Sequence, residues 1–136
     1  MKVSVTFLKH KTTIADFLEE INKTDADYIH VDVMDGEFVS NTFLTIEEAI
    51  RELGSYQNKL LDVHLMSTNP SIYLEAFKDL NMENVTIHVE INQDIKQIID
   101  RIHELGFNAG LALNPETPTS ALTPYLNDIE YIIIMG

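Results

Sequence analysis

A chain of 136 residues with a hydrophobic share of 45% has room for one compact domain of ordinary globular composition. Its 22 acidic against 9 basic residues give a net charge of −13, which excludes nucleic acid and anionic membrane surfaces as partners, and no basic tract offsets it. The absence of cysteine excludes disulfides and thiolate metal sites. The Met-Lys start runs directly into a β-like stretch, and no span of about 18 apolar residues follows, so the expected location is cytoplasmic. An anionic substrate would have to be held by backbone N–H groups and helix N-termini rather than by Lys and Arg.

Val3 to Leu8 is predicted as the first strand, with Ser4 and Thr6 on one face. Thr13 to Lys23 places Ile14, Phe17, Leu18 and Ile21 on one helical stripe, opened by a Thr13–Asp16 variant of the capping box. Ala26 to Val33 is the second strand. Its apolar run of Tyr28, Ile29, Val31 and Val33 is interrupted by His30 and Asp32, which at i and i+2 point to the same face. Asp35-Gly36 marks the turn beyond it. Thr45 and Glu48 form a second capping box, Glu47-Glu48 suits a first helical turn, and Ile46, Ala49, Ile50 and Leu53 make the buried stripe up to a C′ Gly54.

Lys59 to Met66 is the third strand, and Asp62 and His64 repeat the i, i+2 pairing of an acid with an imidazole. Asn69 is expected as N-cap and Pro70 at the first helical position of the next helix. Glu83 to Glu90 is the fourth strand, with His88 near its end. Asn92 is expected to cap a helix carrying Ile95, Ile98, Ile99, Ile102 and Leu105, closed by Gly106. Phe107 to Leu113 is the fifth strand, ending at Asn114-Pro115. Thr117-Pro118 opens another helix, and Ile129 to Met135 is the last strand. His10 and His103 read as solvent-facing and receive no role.

Strand then helix, five times, then a bare strand, predicts βαβ units and a parallel sheet without linker or boundary. Polar residues collect at the C-terminal strand ends: Thr6, His30, Asp32, His64, His88 and Asn114. A (β/α)₈ barrel and an open doubly wound sheet both bind ligands at that end, and a flavodoxin-like sheet also fits the length. Buried His and Asp side chains must pair with one another or bind a metal. His30, Asp32 and His64 offer donors that suit zinc first, and also iron, manganese or cobalt. Met34, Met66 and Met135, also at strand ends, read as apolar filler on this ground alone. No Gly-rich phosphate loop, Ser-His-Asp set, Cys-His pair or dinucleotide fingerprint is present.

The segment His30-Val31-Asp32-Val33-Met34-Asp35-Gly36, with Phe38-Val39 and Asn41, resembles the signature of the ribulose-phosphate 3-epimerase family. Asp62-Val63-His64-Leu65-Met66 with Asn69-Pro70, His88-Val89-Glu90, and Leu113-Asn114-Pro115 followed by Thr117-Pro118 are similar to that family's later motifs, in the same order. The resemblance implies a ribulose-phosphate-binding TIM barrel that interconverts D-ribulose 5-phosphate and D-xylulose 5-phosphate. The reaction would be two-base proton transfer at carbon 3, through an ene-diolate, in the pentose phosphate pathway. It implies one divalent metal ion on His30, Asp32 and His64, with Asp32 also an acid/base catalyst. Thr6, His64, Met34, Met66 and Met135 are implied to contact a phosphorylated ketose.

Ser40 stands where the family has proline, and Thr6 where it has serine. Family members continue through strands seven and eight. The expectation for residues 1–136 is therefore a single partial TIM-barrel domain, truncated after about five βα units plus one strand. The second catalytic aspartate, a fourth metal ligand and the phosphate-holding loops would lie beyond it. Open parallel edges favour association, so a homo-oligomer is expected. Rival readings are an epimerase for allulose 6-phosphate and an inactive metal- or sugar-phosphate-binding fragment.

Overall fold

The computed structural model describes residues 1–7 and 13–136. The expectations for Leu8 and His10 therefore lie outside the described residues. In chain order the elements are β1 (Ser4–Thr6), α1 (Ile14–Ile21), β2 (Tyr28–Asp35), β3 (Thr42–Phe43), α2 (Ile46–Leu53), β4 (Leu60–Met66), α3 (Pro70–Phe77), β5 (Met82–His88), α4 (Ile95–Glu104), β6 (Asn108–Leu113), a 3₁₀ segment (Thr119–Tyr125) and β7 (Tyr131–Ile134).

Six strands form one sheet in the order β1-β2-β4-β5-β6-β7, and each neighbouring pair is parallel. Each new strand joins on the same side of the previous one. The winding never reverses, so there is no switch point of the doubly wound kind, and the flavodoxin-like reading is set aside. The result is part of an α/β barrel wall. β3 is an addition that the apolar pattern did not predict: two residues pair antiparallel with the end of β2, Met34 with Phe43 and Asp35 with Thr42.

One face of this wall packs on the helices. Ile29, Val31, Val33, Leu61, Val63, Leu65, Val85, Ile87, Ala109, Leu111 and Leu113 alternate along β2, β4, β5 and β6, and each is at most 1% exposed. Leu18, Leu53, Leu74, Phe77 and the Ile98, Ile99 and Ile102 stripe of α4 belong to the same cluster. Burying a side chain of this size contributes roughly 1.5–3 kcal/mol, so this face supplies most of the driving force for folding.

The other face is polar and concave. Side chains two strands apart meet across it: Ser4 on β1 donates to Asp62 on β4, and Thr86 on β5 donates to the Tyr131 hydroxyl on β7. The second contact passes over Gly110 of β6, where a Cβ would collide with the Tyr131 ring. A glycine at that position is what lets the ring lie flat over its own neighbour strand.

Several local expectations are corrected. α4 is capped by Asp94 rather than Asn92; Asp94 Oδ1 accepts from Gln97 N at 3.1 Å. Asp94 immediately precedes the first helical residue, Ile95, which is where an N-cap side chain can reach a free N–H of the first turn. Asn69 holds the N-cap position of α3 but makes no side-chain capping bond. Gly54 ends α2 in right-handed conformation, at φ −60°, so it is a C-cap residue and not a left-handed C′. The segment after Thr117-Pro118 is 3₁₀ rather than α, and Pro124 lies near its end. Ile50, expected in the α2 stripe, is 47% exposed. The α1 and α2 N-termini form as expected, with Thr13 accepting from Asp16 N and a full capping box at Thr45 and Glu48. His103 lies on the exposed side of α4 and pairs with Glu130 at 3.0 Å. No helix among the described residues is long and apolar enough to cross a membrane.

Candidate metal centre

Pairing of β2 with β4 sets His30 beside Asp62, Asp32 beside His64 and Met34 beside Met66. The two i, i+2 pairs foreseen on separate strands thus become one block on the concave face. Within it His30 Nδ1 lies 2.8 Å from Asp62 Oδ2, and His30 Nε2 lies 3.2 Å from Asp32 Oδ1. His64 Nδ1 lies 3.2 Å from the same Asp32 Oδ1. The chain of contacts continues to β5: His64 Nε2 is 2.8 Å from His88 Nε2, and His88 Nδ1 is 3.1 Å from Glu90 Oε2. Glu90 Oε1 accepts from Asn114 N at 2.6 Å.

The protons available do not fill this chain. Three neutral imidazoles carry one N–H each, and ionised carboxylates only accept. Five contacts link Asp62, His30, Asp32, His64, His88 and Glu90. Glu90 requires the His88 proton on Nδ1. His88 Nε2 then accepts, which requires the His64 proton on Nε2. Asp62 requires the His30 proton on Nδ1. With all three rings neutral, both contacts left without a proton fall on Asp32 Oδ1, so that lone pairs of His30 Nε2, Asp32 Oδ1 and His64 Nδ1 would face one another.

A divalent cation brings two positive charges to the place where two protons are missing. One ligand atom from each of His30, Asp32 and His64 lies within 4.8 Å of the others. Two donors at about 2.05 Å from a tetrahedral zinc stand about 3.3 Å apart, close to the 3.2 Å of both imidazole contacts with Asp32 Oδ1. The donor set therefore fits a metal. Asp62, on the other ring nitrogen of His30, has a buried Oδ1 with no hydrogen-bond partner among the described residues.

In metal-free protein the missing protons are partly drawn in. Burial opposes charge on His30, but hydrogen bonds to Asp32 and Asp62 outweigh it and raise its pKa to about 9. Burial likewise opposes charge on Asp32, yet the bonds to His30 and His64 hold its carboxyl well below the usual carboxylate range. His88 moves the other way: burial, and then repulsion from His64, push its pKa down, so it stays neutral. Glu90 is held below its ordinary value, against burial, by Asn114 N, Thr117 and His88.

Thr6 is exposed at the end of β1, and its hydroxyl donates to Asp32 Oδ2 at 3.2 Å. The two Asp32 oxygens thus differ: Oδ1 meets the imidazoles, and Oδ2 meets the Thr6 hydroxyl. Met66 is buried at the end of β4, Met34 is half-buried beside it, and Met135 follows β7 with its N–H on Leu113 O. Asp35 steadies the rim. Its Oδ1 accepts from Glu37 N and Phe38 N, and its Oδ2 from Thr68 N, each at 2.8 Å. The sequence alone assigns no role to Asp62, His88 or Glu90. The signal was present, because Asp62/His64 and His88/Glu90 repeat the His30/Asp32 spacing, but the connection between strands is not written along the chain.

Known proteins resemble this chain throughout its length. The pattern of the ribulose-phosphate 3 epimerase family matches residues 2–136. The ribulose-phosphate 3-epimerase of Synechocystis is 39% identical over 127 residues, covering 90% of this chain and 54% of that protein. The Bacillus subtilis enzyme of the same name is 35% identical over 120 residues, covering 87% and 54%. That of Helicobacter pylori strain J99 is 34% identical over 141 residues, covering 100% and 62%. The chain spans about half the length of the curated relatives it matches. Among solved structures, phosphoribosyl anthranilate isomerase from Thermococcus kodakaraensis superposes with a TM-score of 0.60 at 14% identity, over 98% of this chain and 63% of that one. That likeness concerns the α/β barrel wall only. The family match, with its curated relatives, is of another order: this chain belongs to the ribulose-phosphate 3-epimerase family.

Proposed function

We propose that residues 1–136 form one partial TIM-barrel domain carrying the metal-holding, proton-abstracting part of an enzyme that converts D-ribulose 5-phosphate to D-xylulose 5-phosphate. The observation that carries this reading is the convergence of one donor atom each from His30, Asp32 and His64, while the second Asp32 oxygen meets the Thr6 hydroxyl at the exposed end of β1. His30, Asp32 and His64 would hold the ion, zinc first among divalent metals for two imidazoles and a carboxylate. Bound there, the ion would supply positive charge for the oxygens that become anionic as the carbon 3 proton leaves.

The remaining roles belong to the chain. Asp32 Oδ2 takes the proton from carbon 3, and the Thr6 hydroxyl holds that oxygen in place. His64, at the floor of the site, borders the sugar. Met34, Met66 and Met135 surround the reacting carbon with apolar surface and keep water from it. Asp62 and Glu90 are committed to His30 and to His88, so the second acid of a two-base mechanism is assigned to no described residue.

The test is proton exchange. Zinc-loaded protein in D₂O should wash deuterium into carbon 3 of D-ribulose 5-phosphate, read by proton NMR. Asp32→Asn should stop the exchange completely while preserving the circular dichroism spectrum. Protein that binds zinc but leaves the carbon 3 proton untouched would reduce the chain to a metal-binding fragment, and exchange at wild-type rate in Asp32→Asn would take Asp32 out of the mechanism.

A further inference from the structure

We propose that Glu90 and His88 are positioning residues which, through hydrogen bonds alone, select the tautomer of His64 that turns a lone pair toward His30 and Asp32. This rests on the metal-centre reading above. Neither residue is placed to touch the ion; each acts through its neighbour.

The direction of the relay is set at its outer end. The backbone N–H of Asn114 can only donate, and it lies 2.6 Å from Glu90 Oε1. That bond fixes the carboxylate and leaves Oε2 to meet His88 Nδ1 at 3.1 Å. An ionised oxygen there draws the His88 proton to Nδ1, so His88 Nε2 is an acceptor. His64 Nε2, 2.8 Å away, must then be the donor, which strips the proton from His64 Nδ1 on the metal side. The two rings are nearly parallel, 4.9 Å between centroids and inclined by 20°, and the Phe38 ring lies 4.6 Å from His88. His64 and His88 are 2% and 1% exposed. Water therefore has little access to rescue a wrong tautomer. His30 is governed more directly, by Asp62 at 2.8 Å. The two imidazole ligands thus each take their proton position from a carboxylate, one in a single step and the other in two. Such outer partners orient a ligand and raise its basicity.

The relay makes an unusual demand on Glu90→Gln. Asn114 N–H still needs an acceptor, so the amide oxygen must stay on that side and the amide NH₂ must face His88 Nδ1. His88 is then forced to carry its proton on Nε2, and His64 to carry its own on Nδ1, inside the site. The variant keeps the hydrogen bonds of the relay but inverts their direction. Glu90→Ala removes the bonds yet leaves His88 free to adopt either tautomer.

Zinc affinity by titration calorimetry and thermal unfolding of metal-free protein should therefore rank the variants in opposite orders. Glu90→Gln should bind zinc about 10- to 100-fold more weakly than wild type, and Glu90→Ala should lose less zinc affinity than that. In melting temperature, Glu90→Gln should stand above Glu90→Ala. Glu90 acting as mere structural support would rank the two variants identically in both measurements, and that result overturns the proposal. So does a Glu90→Gln that binds zinc as wild type does, and that outcome leaves the metal centre standing. Wild-type protein that takes up no zinc removes the metal centre and the relay together.

Discussion

The two faces of the same strands solve different problems. On β4, Leu61, Val63 and Leu65 face the helices, while Asp62, His64 and Met66 face the concavity. The helix side is held by non-directional burial, so many apolar side chains of similar volume would serve. The concave side is held by directional polar contacts, chief among them the run from Asp62 to Asn114, in which the position of each imidazole proton matters. Adjacent residues in the chain therefore differ in what their loss would cost: one in stability, the next in chemistry.

The widest separation of those costs is expected between Leu65 and His64. Leu65→Ala opens a cavity at a position 1% exposed, and should lower unfolding free energy by about 2–5 kcal/mol in denaturant titrations. The folded protein should keep its zinc affinity. His64→Ala should do the reverse, abolishing measurable zinc uptake at a smaller cost in stability. Equal loss of zinc affinity in both variants would mean that the helix side and the concave side are not separable, and the comparison would break.

pH separates the faces again, by a somewhat smaller amount. The pKa of His30 in metal-free protein, about 9, exceeds its ordinary 6.5 despite burial, because Asp32 and Asp62 accept from it. A raised folded-state value contributes stability that is fully present below about pH 6.5 and is lost as pH climbs through about 9, a loss on the order of 2–3 kcal/mol. Zinc competes with that proton, so zinc affinity should rise over the same window. Chelator-treated protein followed by denaturant unfolding between pH 6 and 9.5, with calorimetry alongside, measures both trends. Leu65→Ala should run parallel to wild type, since it touches no titrating group. Metal-free stability that increases across this interval would contradict the His30 assignment.

How far the fold could be read in advance depended on which face carried the signal. Val31, Val33, Val63 and Leu65 announce buried strands by composition and alternation, and the capping residues Thr13 and Thr45 announce two helix starts; these are local patterns. His30, Asp32 and His64 could be singled out because polar residues interrupt apolar runs at i and i+2. The roles of Asp62, His88 and Glu90 depend on register, which brings Asp32 level with His64 and places His88 in reach of its ring. Register is a property of pairs of strands, and spacing within one strand does not encode it. Asn92 fails to cap α4 for a simpler reason: Asn and Asp both suit an N-cap, and the helix begins two residues later than the expected cap implies, at Ile95.

The smallest expected effect concerns Ile50, where a periodic pattern overreached. In α2, Ala49 and Leu53 are 0% and 1% exposed, whereas Ile50 is 47% exposed, one residue round from the contact line. A helix of eight residues offers a narrow strip to the sheet, and an i, i+3, i+4, i+7 count assigns that strip one residue too many. Ile50→Gln should therefore change unfolding free energy by no more than about 0.5 kcal/mol, since it removes little buried area and glutamine has the better helix propensity. Leu53→Ala, three residues on, should cost about as much as Leu65→Ala, because it vacates the same apolar cluster. A loss of more than about 2 kcal/mol in Ile50→Gln, at the scale of a vacated core position, would show that this half-open side chain belongs to the helix-side core after all, and would widen that face at the expense of the boundary drawn above.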